Sequence, residues 1–146
     1  MSRLLLVPWS QVAAETLHAH ALPVDNARMP SRWYTVVVDC ADPAKVAEFW
    51  AAVLGYQVIF SAPDEVVIAK DEHSYPGLVF VPVTESKTVK NRLHIDLNPD
   101  DQQAEVERLL ALGAKQVDIG QGDVSWVVLA DPEGNEFCVL RARDQD

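Results

Sequence analysis

Little in this 146-residue chain is basic: 12 Lys and Arg stand against 22 Asp and Glu, a formal net charge of −10. A nucleic-acid partner needs cations to neutralise phosphates. The one basic cluster, Lys87, Lys90 and Arg92, spreads three charges over six residues. That suits one anionic ligand and is too small for a nucleic-acid track, so nucleic acid is excluded as a partner. Cysteine is scarce too. Cys40 and Cys138 fit no CxxC or Cys/His zinc spacing, and reduced thiols are expected. Long apolar runs are missing. The start, Met1 to Pro8, has one cation and only four consecutive apolar residues, too short for a secretory signal, and no other segment approaches a membrane span. A cytoplasmic protein without a membrane partner is the expectation.

What is present is ordinary globular composition. Apolar residues make up 49 % and charged residues 23 %, which argues against disorder outside the ends. The length suits one domain, or two small half-domains sharing one core. Residues 1–31 differ from the rest and read as an N-terminal arm. Val12 to Ala21 suit a short helix, which Pro23, Asp25, Asn26 and Pro30 then break. The arm packs on the domain or on a partner, or else Met29 is the true start and residues 1–28 are not native. Residues 143–146 form a C-terminal tail.

From Trp33 the pattern is regular. Trp33–Asp39 is β-branched and aromatic and predicts a strand. Asp42-Pro43 opens a helix, with Asp as N-cap and Pro at the first helical position. Val46, Phe49, Trp50, Val53 and Leu54 line one helix face, and Gly55 marks the stop. Strands are predicted at Tyr56–Phe60, Glu65–Lys70 and Leu78–Val83. The order then recurs: a strand at Arg92–Leu97, a helix from Pro99-Asp100-Asp101 to Leu112-Gly113, and strands at Gln116–Ile119, Ser125–Ala130 and Glu136–Leu140. Thr35 to His94 and Asp42 to Asp101 are each 59 residues apart, and Leu54-Gly55 to Leu112-Gly113 are 58 apart.

A repeat of this kind decides the architecture. It predicts an α+β fold over residues 32–142: two βαβββ modules, about 33–83 and 92–141, forming a curved mixed sheet around a central cavity, with the helices on the outer face. A cavity at such a junction is a natural ligand site.

The segments Val38-Asp-Cys-Ala-Asp-Pro43 with Phe49-Trp50 and Leu54-Gly55, Lys87 to Leu97, Leu112-Gly-Ala114, Trp126, and Asp131-Pro-Glu-Gly-Asn-Glu-Phe-Cys-Val-Leu140 resemble the vicinal-oxygen-chelate superfamily, in particular its glyoxalase-like proteins. The resemblance covers roughly residues 32–142. It implies relatives that range from glyoxalase I and extradiol dioxygenases to metal-free proteins that sequester bleomycin, so kinship does not choose the chemistry.

The resemblance also implies four metal-ligand positions, which fall on Thr35, near Phe80, on His94 and on Cys138. One of the four is a clear ligand. A conventional divalent centre is therefore not expected, no metal ligand or cofactor is assigned, and one divalent ion remains an alternative. Alternation puts Thr35, Val37 and Asp39 on one face, His94 with Asp96, and Glu136 with Cys138. If these faces converge, His94, Asp96 and Glu136 become candidate catalytic residues, as a carboxylate–imidazole acid/base pair or as ligands of an atypical ion. Plainer roles stand beside these. Asp39 and Glu136 suit turn caps, Asp96 suits an ion pair with Arg92 or Lys90, and Cys138 suits a small buried apolar residue better than an activated thiol. The candidate ligand-binding residues are Thr35, Phe80, Arg92, His94, Trp126 and Cys138, with Arg92 to grip an anion and Trp126 to stack on a planar group.

The leading expectation is a metal-independent protein that binds a small organic molecule, anionic or aromatic, in the sheet cavity. The alternatives are a lyase- or isomerase-type enzyme using His94 with a nearby carboxylate, and a regulatory or interaction protein. A homodimer is compatible with all three.

Overall fold

The computed structural model describes residues 33–142. The expected arm, the Met29 start and the tail lie outside the described residues. The elements run β1 (Thr35–Cys40), α1 (Pro43–Leu54), β2 (Gln57–Ala62), β3 (Glu65–Ala69), β4 (Gly77–Pro82), β5 (Asp96–Leu97), α2 (Gln102–Ala111), β6 (Lys115–Gln116), β7 (Val127–Ala130) and β8 (Glu136–Val139). This is the βαβββ order twice. The ladders form two four-stranded sheets with one topology, β1-β4-β3-β2 and β5-β8-β7-β6. In each, the first and last strands of the module pair in parallel.

Both helices start as the sequence dictates. The Asp42 carboxylate accepts from Lys45 N at 3.1 Å, and Asp101 accepts from Ala104 N at 3.0 Å. Each satisfies an amide that the first turn leaves open. Gly55 ends α1 at φ 65°, a left-handed conformation that costs a side chain without β-carbon nothing.

The modules also brace each other. Glu133, in the turn before β8, accepts from Ala41 N and Asp42 N at 2.7 Å each, at the entry to α1. Arg108 of α2 donates to Ala52 O and Val53 O at 3.0 Å each, which satisfies carbonyls at the far end of α1. Glu105 holds that guanidinium at 2.7 Å.

One core serves both modules. Val46, Phe49 and Trp50 of α1 pack with Ile68 and Phe80 of the first sheet and with Leu109, Leu129, Phe137 and Val139 of the second module. The Phe137 ring centre lies 5.0 Å from that of Trp50 and 6.1 Å from that of Phe49. Beneath them sits Asp131, which is buried. It accepts from Trp50 Nε1 at 3.1 Å, from Asn135 Nδ2 at 3.0 Å, and from the amides of Glu133 and Asn135 at 2.9 Å each. Four donors offset the desolvation of this carboxylate and lock the turn that presents Glu133.

The strands of the second module are shorter than their pattern predicts. Arg92–Leu97 shrinks to Asp96–Leu97, and Gln116–Ile119 to Lys115–Gln116. Side chains take backbone donors at or beside the lost strand ends: Ile119 N donates to Gln121, and the neighbouring Gly120 N and Asn91 N donate to Asp118 and Glu136. Such local bonds compete directly with sheet pairing. No helix among the described residues is long and apolar enough to cross a membrane.

Candidate functional site

Each sheet has a helix-side face and an open face opposite it. Alternation sorts the residues. In β1 and β4, Val36, Val38, Leu78 and Phe80 belong to the core side, which leaves Thr35, Val37, Asp39, Val79 and Val81 on the open face. In the second sheet Ile95, Leu97, Leu129, Phe137 and Val139 are core-side, which leaves Asp96, Val128, Glu136 and Cys138 on the opposite face, where Val128 and Cys138 are nonetheless buried.

The cluster that carries chemistry lies on the open face of the second sheet. Asp96 of β5 pairs in register with Cys138 of β8, and His94 enters from the residues just before β5. His94 Nδ1 lies 2.8 Å from Asp96 Oδ1 and 3.8 Å from Cys138 Sγ. One ligand atom from each of the three falls within 4.8 Å of the others. With Nδ1 directed to Asp96, the other ring nitrogen is left for a ligand. His94 and Asp96 are both exposed, so the pair is accessible.

Cys138 is no activated nucleophile. Burial pushes its thiol up to about 11, and the negative field of Asp96 adds to this, with Lys90 acting weakly the other way. A reactive thiolate needs the opposite environment. The plain role of a small buried residue fits Cys138.

Glu136 does not join the cluster. Its carboxylate is held by Lys87 Nζ at 2.9 Å and Asn91 N at 2.9 Å. Burial pushes its carboxyl up, but the Asn91 amide and the Lys87 ammonium outweigh this and hold it below the usual range. It anchors the inter-module loop to β8, and Lys87 and Asn91 are the partners that sequence reasoning missed. Phe80 is a further correction: it is fully buried on the helix side, in the core and away from the open face. Thr35 is on the open face, where its hydroxyl donates to Gly77 O at 3.0 Å. Arg92 is exposed with no ion-pair partner among the described residues, and Trp126 stands 39 % exposed just before β7.

These placements decide how well the residues fit the divalent centre that the resemblance implies. Thr35 is committed to a carbonyl, Phe80 has no donor and points into the core, and Cys138 offers a thiol where the resemblance implies a carboxylate. Only His94 remains of the four positions, and the conventional set does not fit. His94, Asp96 and Cys138 offer a different trio of one imidazole, one carboxylate and one thiol. A thiol favours soft or borderline ions over hard ones.

Two hollows lie elsewhere on the described residues, and neither is lined by His94, Asp96 or Cys138. One of about 170 Å³ lies on the open face of the first sheet, lined by Thr35, Glu65, Val67, Val79, Tyr34 and Tyr75 among others. The larger, about 480 Å³, runs along the helix side by Lys45, Glu48, Phe49 and Lys115. Size does not favour the second, because none of the expected site residues lines it. Tyr34 and Tyr75 had no signal of their own, since Tyr34 read as strand and Tyr75 as part of the break at Pro76.

Comparison with solved structures gives the same fold. A glyoxalase/bleomycin resistance protein/dioxygenase family enzyme from Burkholderia phytofirmans PsJN superposes with TM-score 0.60 at 19 % identity, covering 77 % of this chain and all of its own. The fosfomycin resistance protein FosX from Mesorhizobium loti gives 0.57 at 13 %, with 77 % and 92 % covered. A bleomycin resistance determinant encoded on the transposon Tn5 gives 0.53 at 14 %, with 78 % and 100 % covered. No curated protein matches by sequence. The family of glyoxalase-like domains matches residues 35–140, nearly the whole of the two described modules, and the chain belongs to that family.

Proposed function

We propose that this chain binds a small organic molecule on the open face of its sheets, with His94 as the polar anchor and without the divalent centre of catalytic relatives. The observation that carries this is the His94–Asp96 pair. It is an oriented, accessible imidazole, standing where two of the four implied metal positions, Thr35 and Phe80, offer no free donor. Two structural neighbours are resistance proteins, for fosfomycin and for bleomycin, which supports small-molecule binding as the role. The free thiols Cys40 and Cys138 suit a reducing compartment such as the cytoplasm.

The test is a thermal-shift screen of aromatic, anionic and cationic metabolites on chelator-treated protein. A specific ligand at a hundredfold excess over Kd stabilises by about 2.7 kcal/mol, and His94→Ala removes that gain. Unchanged melting across the panel overturns binding. Stoichiometric metal in untreated protein that is lost in His94→Ala overturns the metal-free part.

The same pair favours a second reading, an enzyme of lyase or isomerase type. There Asp96 orients His94 and the ring moves a proton to or from bound substrate. Solvent deuterium appearing in a recovered ligand, at a rate abolished by His94→Gln, distinguishes turnover from binding.

A further inference from the structure

We infer that the open face of the first sheet is a subsite for an organic cation, held between the Tyr34–Tyr75 pair and the Glu65 carboxylate. This deepens the binding role proposed above by naming a ligand class, and it rests on that role only in placing ligand on the open face.

Four observations converge. The rings of Tyr34 and Tyr75 lie 4.8 Å apart at 32°, and both residues are exposed, at 64 % and 59 %. Aromatic faces carry negative potential and attract ammonium groups. The hollow beside them has a floor of Thr35, Val67, Gly77 and Val79, and among the described residues its only charged lining residues are Glu65 and Glu72. No Lys or Arg among the described residues lines it, so the field that these residues set there is that of an anion.

Glu65 supplies the sharpest point. Every other carboxylate residue that is not fully exposed among the described residues has a partner. Asp71 is bonded to His73 N and Ser74, Glu105 to Arg108, Asp131 to Trp50 and Asn135, Glu133 to the entry of α1, and Glu136 to Lys87. Glu65 is only part-exposed on β3 and has no hydrogen bond or ion pair among the described residues. A carboxylate that lines a hollow with no counter-charge among the described residues is a ready partner for a bound cation, which supplies that charge.

The volume sets the size of what binds. About 170 Å³ is below the range of sites that enclose a whole drug-sized ligand. The hollow therefore takes a cationic head group, such as a primary or quaternary ammonium, and leaves the remainder of the molecule outside. This differs from the anionic ligand that Lys87, Lys90 and Arg92 suggested. Lys87 is already committed to Glu136.

The experiment is an amide NMR titration of the full chain with choline and, separately, with 3,3-dimethyl-1-butanol, its uncharged isostere. Choline is expected to shift the signals of Tyr34, Glu65 and Tyr75 saturably, with the alcohol weaker by about tenfold. Glu65→Gln and Tyr75→Leu should each weaken choline roughly fivefold or more. Equal binding of the two probes overturns the inference. So does choline leaving those signals unmoved, or acetate binding there in its place. The isostere comparison uses unaltered protein, so it stands even if a variant fails to fold. A chain that binds choline here but has no ligand dependent on His94 loses the anchor proposed above and keeps this subsite.

Discussion

The two modules share a topology and differ in almost everything laid upon it. The first has strands of five and six residues and an open face of Val37, Val67 and Val79, bounded by tyrosines and by Glu65, a carboxylate without a partner among the described residues. The second has strands of two and four residues and an open face carrying His94, Asp96 and Cys138. On the helix side both modules contribute to one core, yet unequally: α1 buries Val46, Ala47, Phe49, Trp50 and Val53 there and α2 only Leu109. The repeat thus preserves the topology and the shared core, and leaves each module's surfaces to differ.

The largest effect that tests this comparison is expected at Phe137. Truncation to Ala removes a fully buried ring that touches both aromatics of α1 and should cost about 3–5 kcal/mol. In denaturant, fluorescence and far-ultraviolet dichroism should still report one transition. Two separated transitions would show that the modules are independent, and would break the idea of one core.

A smaller effect is expected at the braces. Arg108→Ala and Glu133→Ala each free the backbone groups of α1 that they satisfy, at about 1–2 kcal/mol apiece. Both should be visible as a lower denaturation midpoint with unchanged slope. A cost near zero for both would mean that packing alone joins the modules.

The smallest effects are in pH. Cys40 and Cys138, one from each module, are both pushed up to about 11 by burial first and then by neighbouring carboxylates. Their neutral forms favour the folded state. The stability they contribute is complete below the ordinary thiol value of 9.0 and is lost as pH rises from there through about 11. Glu136 behaves oppositely: its carboxyl is lowered, so its contribution is present above the unfolded value and is lost as pH falls through the folded one. Melting curves should show an alkaline decline that Cys40→Ala and Cys138→Ala each reduce. They should also show an acid decline that Glu136→Gln reduces. Equal alkaline sensitivity in all three chains would remove the thiols from the account.

Much of this architecture is legible in the sequence because it depends on local rules. Asp42-Pro43 and Asp101 start helices, Gly55 stops one, and the offset of 58–59 residues pairs the modules. The Phe80 placement shows where such rules end. It was assigned by its position near a ligand site, while the strand's alternation sends it to the core with Leu78. A shift of one residue along a strand exchanges the two faces. Glu136 was misjudged for another reason: its partners, Lys87 and Asn91, come from a loop 45 or more residues away, a contact no periodicity encodes. His94 and Asp96 were legible as a pair because residues two apart in extended chain share a face, although His94 lies just before β5. The Tyr34–Tyr75 contact was not, because it joins segments separated by a helix and three strands.

The buried Asp131 has a consequence for how this protein can change. It fixes the Trp50 ring and the turn that carries Glu133 from beneath the core, with no part in the open face. Residues such as Val37, Asp39, Val79 and Val81 are therefore free of structural duty and open to drift or selection. New ligand preferences can arise there by single replacements while the chain keeps folding, and a library randomised at those positions should stay largely soluble.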